Sequence, residues 1–180
     1  VVNTGSVSQV QNEIFKLNKV LDKDKPIYLV LNTPGGSIMA GRLLIDSLQG
    51  LDREIHTVTI FAASMGYQIA QNLGTRYILP SGTLMSHRAY ISGLRGQIPG
   101  EANVNLAFIQ DIVTDMESFV SKRVGIPLKE YQNLIRDEYW VFGKNAVKNK
   151  HADKVTFVKC SQSLIKSQYR TVSTWFGPFE

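Results

Sequence analysis

The sequence predicts an α/β fold with a parallel sheet, because apolar runs typical of buried strands alternate with helical patterns. Residues 27–32 and 56–61 are two such runs, and residues 78–87 contain a third that ends in a histidine. A helical pattern follows each of the first two runs. Alternation of strand and helix implies right-handed crossovers, which place consecutive strands parallel in one sheet.

Two shorter helices are predicted on either side of the first strand. Residues 8–21 are expected to be helical, because Ser8-Gln9-Val10-Gln11 has the pattern of a capping box and apolar residues recur behind it at helical spacing. The second helix is expected after the turn that follows residue 32. Its apolar positions are Ile38, Leu43, Leu44, Ile45 and Leu48.

The longest helix is predicted over residues 101–124, and it ends before Gly125 and Pro127. Ile109 and Val113 widen its apolar stripe beyond what one packed neighbour covers. The width of this stripe predicts a partner subunit against the helix.

Composition limits the class of protein. The chain has 180 residues, 43% hydrophobic and 19% charged, which suits a single soluble domain with a substantial core. The one cysteine, Cys160, excludes an internal disulfide, argues against a zinc site and favours a reducing compartment. No apolar run reaches the roughly 20 residues that span a bilayer and the start lacks a signal-peptide pattern, so we expect a cytoplasmic protein without membrane contact. The net charge of +5 is scattered, which disfavours nucleic acid as a partner.

Ser64 is the first candidate catalytic residue. It lies in Ala63-Ser64-Met65-Gly66, where a predicted strand turns into a helix. At such a junction the hydroxyl stands exposed at the strand end, and the amides of the first helical turn point toward whatever that oxygen attacks. A serine at this place is also a good N-cap, so the alternative is a capping role.

His87 is the candidate general base. It ends the apolar run of residues 83–87, and a serine and a histidine at the ends of neighbouring strands can meet. The alternative is a half-buried histidine bonded to backbone. His56, next to Arg53 and Glu54, and His151, in a basic run, are both expected on the solvated surface.

The turn Thr33-Pro34-Gly35-Gly36 follows the first strand and is a candidate oxyanion-binding segment. Two consecutive glycines let the backbone approach a ligand closely, and their amides can hold a developing negative charge. The alternative is an ordinary strand-to-helix turn.

Together these segments resemble the proteolytic subunit of the Clp protease and its phage and SppA-like relatives. Residues 31–36 match the family's N-S-P-G-G turn with Thr33 in place of serine, and residues 62–66 match its A-A-S-M-G nucleophile segment. Residues 78–87 match its strand-turn-strand segment that leads to M-x-H. The resemblance covers residues 1–159 as a peptidase domain, which leaves residues 160–180 as a C-terminal extension.

The resemblance implies a ClpP/crotonase-type fold, a repeated β-β-α superhelix with a parallel sheet and a protruding handle helix. It also implies that Ser64 is the nucleophile, that His87 is the base, and that the amides of Gly36 and Met65 form the oxyanion hole. No metal or organic cofactor is implied.

The third member of the implied catalytic triad has two candidates. Counting without gaps from Gly125 or from Ala146 places Glu138 at the family's aspartate, with Trp140 on its aromatic residue. Matching by residue type selects Asp137 instead and requires an insertion. Glu138 is preferred, because a carboxylate of either length can orient a histidine. The alternative for both is a surface pair beside Arg136.

The resemblance also implies an assembly. In the family, the helix that corresponds to residues 101–124 docks two heptameric rings face to face around a chamber that holds the active sites. Residues 92–100 resemble a strand that binds extended peptides, although a flexible loop is the alternative. Residues 1–7 correspond to an early strand, so the segment that forms the family's axial pore loops has no counterpart. A Clp-type ATPase is therefore only a possible partner.

The expected function is that of a serine endopeptidase that acts on peptides or unfolded proteins inside an oligomeric chamber. Two alternatives are a catalytically inactive ring subunit and an acyl-CoA enzyme of the crotonase group. The second has no use for the serine of Ala-Ser-Met-Gly, whereas the first would follow if the departures around Phe142 and Gly143 disable the triad.

Overall fold

The computed structural model describes residues 1–91, 93 and 95–159, and within residues 4–124 helices and strands alternate as expected. Residues 160–180, which include Cys160, lie outside the described residues. The elements, numbered in chain order, are α1 Thr4–Val20, β1 Ile27–Thr33, α2 Ile38–Gln49, β2 Ile55–Ala63, α3 Met65–Asn72, β3 Arg76–Ser86, α4 Glu101–Val124, α5 Leu128–Leu134, β4 Tyr139–Phe142, α6 Gly143–Lys148 and β5 Lys154–Val155.

The sheet is mostly parallel, which confirms the predicted fold class at that level. Its strands lie in the order β1-β2-β3-β4, with β5 also paired to β3. β1, β2 and β3 run parallel to one another, and β4 runs antiparallel to β3. The carboxyl ends of β1, β2 and β3 therefore meet at one edge of the sheet. The superhelix and the protrusion of the handle helix remain predictions.

β3 is one strand with an interruption, not the two strands and turn that the sequence suggested. Its pairing with β2 shifts register between Thr59 and Phe61, and residues 79–82 of β3 are left out of the β2 register. A Cβ on Gly82 would lie 2.5 Å from the carbonyl oxygen of Thr59. Glycine is thus required where the interrupted strand closes back onto its neighbour.

The first helix begins earlier than predicted. Asn3 is its N-cap: the Asn3 side chain accepts from the Ser6 amide at 2.9 Å, and the Ser6 hydroxyl accepts from the Asn3 amide at 3.1 Å. Ser8 lies inside the helix, so the predicted start was wrong: Asn3, five residues upstream, caps the helix instead. The early strand expected over residues 1–7 is reduced to a single bridge between Val2 and Gly36.

Predicted and observed bounds agree for the longest helix, α4. Its inner residues, among them Val120 and Val124, join the core that α1, α2 and α3 form with the sheet. Its outer side keeps large apolar residues in solvent, with Val104 69% and Phe108 57% exposed. β1 likewise exposes Tyr28 and Val30 on one face of the sheet.

His151 is buried, which corrects the expectation of a surface residue. It is 2% exposed, its Nδ1 lies 2.7 Å from the Tyr67 hydroxyl, and its carbonyl oxygen accepts from Gln71 Nε2 at 2.9 Å. The basic run around it is therefore solvated while the histidine itself turns into the core. Burial lowers the pKa of His151 from 6.5 to about 4, and the positive charge of Arg76 acts in the same direction.

His56 is also buried and was likewise wrongly placed on the surface. Its Nδ1 accepts a hydrogen bond from the Thr75 amide at 3.1 Å.

Arg76, at the start of β3, forms an ion pair of 2.6 Å with Asp153 next to β5. Burial alone would raise the pKa of Asp153, but hydrogen bonds from Arg76 outweigh it and lower that pKa. These contacts join the segment after α6 to the sheet.

The neutral, buried state of His151 predicts a loss of stability in mild acid. The unfolded chain takes up a proton at this residue near pH 6.5 and the folded chain only near pH 4, so the free energy of unfolding falls as the pH drops through that interval. We expect a loss of about 2 kcal/mol between about pH 7.5 and about pH 5, measured by urea unfolding followed by circular dichroism.

The matched control is His151→Gln, which removes the titrating group. This variant should lose much less stability over the same pH interval than the wild type. Identical pH dependence of the two proteins would contradict the assignment.

Candidate active site

Three turns meet where the parallel strands end, and a cavity of about 230 Å³ lies between them. Each turn follows one strand: Gly36 comes after β1, Ser64 directly after β2, and His87 directly after β3. Together with Met65, these residues line the cavity. The fold therefore brings four of the residues singled out in the sequence to one place.

The backbone of Ser64 is strained. Its φ of 54° and ψ of −119° lie in a region that residues with a side chain rarely adopt. The Ser64 amide donates to the carbonyl oxygen of Met85 at 2.9 Å, which ties the turn to the end of β3. The Ser64 side chain makes no capping hydrogen bond with α3, so the alternative of an N-cap role is not what the structure has. This leaves the hydroxyl available to a substrate.

Gly35 packs directly against the serine turn. A Cβ on Gly35 would lie 2.6 Å from the Ala63 carbonyl oxygen, 2.7 Å from Ser64 Cβ and 2.8 Å from the Met65 nitrogen. Gly35 also has a φ of 95°, which disfavours any residue with a side chain. The first glycine of the Gly-Gly pair is thus fixed by contact with the turn that carries Ser64.

The contacts of Thr33 show why the turn that it begins accepts threonine in place of serine. Its Oγ1 accepts a hydrogen bond from the Gly35 amide at 3.2 Å, a contact that either hydroxyl residue can make. Its methyl group lies against Gly66 of α3.

The amides of Gly36 and Met65 both have no backbone acceptor within the described residues. Met65 is the first residue of α3, so its amide belongs to the free N-terminal turn of a helix. Gly36 is held by a bridge to Val2, with the Val2 amide donating to Gly35 at 2.7 Å and the Ser37 amide donating to Val2 at 2.8 Å. Two free amides beside one serine can stabilise a developing oxyanion.

His87 is half-buried and directly follows the end of β3, which side-chain contacts hold in place. The preceding residue, Ser86, has its hydroxyl 2.8 Å from that of Tyr131 on α5, and both residues are buried. Burial raises the pKa of Tyr131 to about 12, so its hydroxyl remains protonated and able to donate. In the described part of the chain, the Ser64 hydroxyl and the His87 ring share a cavity without a hydrogen bond between them. Such bonds are often long before substrate binds.

The two candidate carboxylates lie outside the cavity. Glu138 Oε2 accepts from Trp140 Nε1 at 3.0 Å, and Asp137 forms an ion pair of 3.0 Å with Arg136. Both acids are exposed. The geometry does not place either side chain against His87, and the identity of the third group stays a prediction.

One acid in the cavity was missed by the sequence analysis. Glu117 of α4 lines the cavity, is only 8% exposed and accepts a hydrogen bond from Gln132 Nε2 at 2.8 Å. Its spacing from Val113, Met116 and Val120 places it on the inward apolar stripe of the helix. An acidic residue at an apolar position of a helix is the feature of the sequence that could have identified Glu117.

A strained serine, a histidine and free amides around one cavity are the parts that acyl-transfer enzymes use. The sequence model of the Clp protease family matches residues 1–159, and this chain belongs to that family. The family is one of peptidases, and its members generally form oligomeric rings.

Two further properties concern the described residues alone. None of their helices combines the length and apolarity needed to cross a membrane. They also bring together no cluster of three or more His, Cys, Asp or Glu side chains suited to a metal ion.

Proposed function

We propose that the chain is a serine endopeptidase that cleaves peptides or unfolded proteins inside an oligomeric chamber. The observation that carries the proposal is the strained Ser64 turn. Its hydroxyl makes no capping hydrogen bond with α3 and lies beside the free amides of Gly36 and Met65. Strain of this kind costs about 1–3 kcal/mol, persists only where the surrounding contacts enforce it, and is concentrated at active sites.

In the proposed mechanism, Ser64 Oγ attacks the peptide carbonyl carbon while His87 accepts its proton. The carbonyl oxygen becomes negative and is held by the Gly36 and Met65 amides. His87 then gives the proton to the leaving amine, the C–N bond breaks, and an acyl ester remains on Ser64. Water activated by His87 hydrolyses that ester and restores both residues.

Glu138 is the proposed positioning group for His87. Tyr139 pairs with Ser86 at the end of the antiparallel β3–β4 ladder, and one further step in this register would set Glu138 opposite His87. Residues directly opposite in such a pair project to the same face. Asp137 is one position out of this register, which favours Glu138.

An inactive ring subunit is the second candidate. The observation that favours it is the hydrogen bond between Glu138 and Trp140, which occupies the carboxylate away from His87. Activity in the proposed scheme requires Glu138 to exchange this bond for one with the imidazole.

A ring assembly with heptameric symmetry, single or doubled, is proposed for the quaternary structure. It is supported by the exposed Val104 and Phe108 of α4 and the exposed Tyr28 and Val30 of β1, because a parallel sheet is normally covered on both faces. A Clp-type ATPase partner and a cytoplasmic location remain predictions from the family resemblance.

The first prediction of this mechanism concerns Ser64. A fluorophosphonate should label Ser64, and Ser64→Ala should lose both labelling and peptide cleavage, by about a millionfold as in the best-studied serine protease. Mass spectrometry locates the label, and Ser81→Ala, an exposed serine in the interruption of β3, serves as the unaffected control. Equal cleavage by wild type and Ser64→Ala would refute the nucleophile.

The second prediction compares the two carboxylates. Glu138→Gln keeps the size of the side chain and removes its charge, so turnover should fall by about 10⁴-fold with the fold retained, as judged by circular dichroism. Asp137→Asn, the matched variant, should have little effect. The reverse ranking would transfer the role to Asp137, and two mild effects would leave a Ser–His pair without a carboxylate.

The third prediction concerns assembly. Light scattering on the purified protein should report a high-order oligomer, in which Phe119 or Ile112 of α4 contacts a partner subunit. Phe119→Glu should break the oligomer, because a charge would enter an apolar interface. Gln110→Glu adds the same charge at an exposed polar position of α4 and should leave it intact.

Two results would contradict this proposal. A stable monomer with full peptidase activity at micromolar concentration would exclude the ring. An intact oligomer of Phe119→Glu would exclude this part of α4 as the contact.

A further inference from the structure

The wall that α4 contributes to the cavity carries an acid. Glu117 lies among apolar neighbours of the same helix, Val113 and Met116, which also line the cavity. With 8% of its surface exposed, Glu117 faces the same small space as Ser64 and His87. A carboxylate at this depth is unusual unless a partner compensates its charge.

The described residues offer Glu117 a neutral partner only. Its Oε2 accepts from the amide of Gln132, and none of the ion pairs among the described residues includes Glu117. An amide donor satisfies one lone pair but leaves the negative charge uncompensated. A cation that enters the cavity from outside would offset the cost of burying this charge.

A second acceptor lies nearby on α3. Gln68 lines the same cavity, and its Oε1 is buried without a hydrogen-bond partner among the described residues. Its backbone amide donates to the Ser64 carbonyl at 3.2 Å, which places it one turn beyond the proposed nucleophile. Glu117 and Gln68 thus each contribute an acceptor oxygen to this cavity.

The remaining walls suit an alkyl chain. Ile38, Val113, Met116 and Ile135 give the cavity apolar sides. A long side chain with methylene groups along its length and a positive head at its end fits such a space, because the stem packs on apolar surface and the head reaches the acid.

We propose that this cavity binds the substrate side chain on the acyl side of the scissile bond, and that Glu117 makes it select lysine or arginine. The inference rests on the proposed peptidase function, since it takes Ser64 as the point of attack. An acidic side chain at the same position would be rejected by the like charge of Glu117.

The test uses fluorogenic peptides that differ only at the residue before the cleaved bond: lysine, arginine, norleucine or glutamate. Norleucine has a stem comparable to that of lysine without the charge. For the wild type, we expect kcat/KM for lysine to exceed that for norleucine roughly 10- to 100-fold, and the glutamate peptide to be cleaved slowest. Glu117→Gln should erase the lysine preference, because it should lower kcat/KM for the lysine peptide roughly 10- to 100-fold more than kcat/KM for the norleucine peptide.

The matched control is Asp111→Asn, which removes an exposed acid from the same helix and should keep the lysine preference. Equal or better cleavage of norleucine by the wild type would overturn the proposal. It would also be overturned if Glu117→Gln slowed the lysine and norleucine peptides by the same factor, because Glu117 would then support folding or catalysis and not selection.

A binding measurement separates this proposal from the proposed function. Fluorescence anisotropy of Ser64→Ala with peptides that end in lysine or norleucine reports the cavity without any cleavage. Tighter binding of the lysine peptide that disappears in Ser64→Ala/Glu117→Gln supports the pocket even if the wild type proves inactive. If fluorophosphonate labels Ser64 but both peptides bind equally, the peptidase function stands and the lysine selection is wrong.

Discussion

The close packing of Gly35 on the serine turn is the contact on which the arrangement of the site depends. It brings the backbone after β1 within van der Waals distance of the backbone after β2, and so sets Gly36 and Met65 beside Ser64 in one cavity. A side chain at Gly35 would separate these turns, since its Cβ would overlap three atoms of the Ala63–Met65 segment. The strain at Ser64 is sustained by this contact and by the bond from its amide to Met85.

The parallel direction of β1, β2 and β3 supplies the rest of the geometry, because it directs three chain turns to one edge. The antiparallel β4 does something different. It runs back along β3 from the end that carries His87, and in doing so brings an acidic segment to the same edge. Ser86, which precedes His87, thus pairs with Tyr139, which follows Glu138. Anchoring of Ser86 by Tyr131 fixes the strand end from the other side.

Whether a charged or polar residue of this chain is buried does not follow from its neighbours in sequence. His151 follows a basic run, yet it enters the core because Tyr67 and Gln71 offer it partners there. Glu117 belongs to a helix with acids on its exposed side, yet it faces the cavity beside Ser64. In both cases a side chain from another element offers a hydrogen bond, which compensates part of the cost of desolvation. Tyr67 and Gln71 do so for His151, and Gln132 does so for Glu117.

The sequence by itself determined the alternation of strands and helices, the bounds of α4 and the turns that carry Gly36, Ser64 and His87, because periodicity, glycine and apolar runs act locally. It also carried the family motifs. Only the tertiary structure decided where α1 begins, that β3 is one interrupted strand, and that His56 and His151 are buried, since these depend on an upstream cap, on strand register and on distant partners. The spacing of α4 turns Glu117 inward, but its position in the cavity beside Ser64 depends on how the helix packs on the sheet. The contact of Glu138 with Trp140 likewise depends on the folded strand.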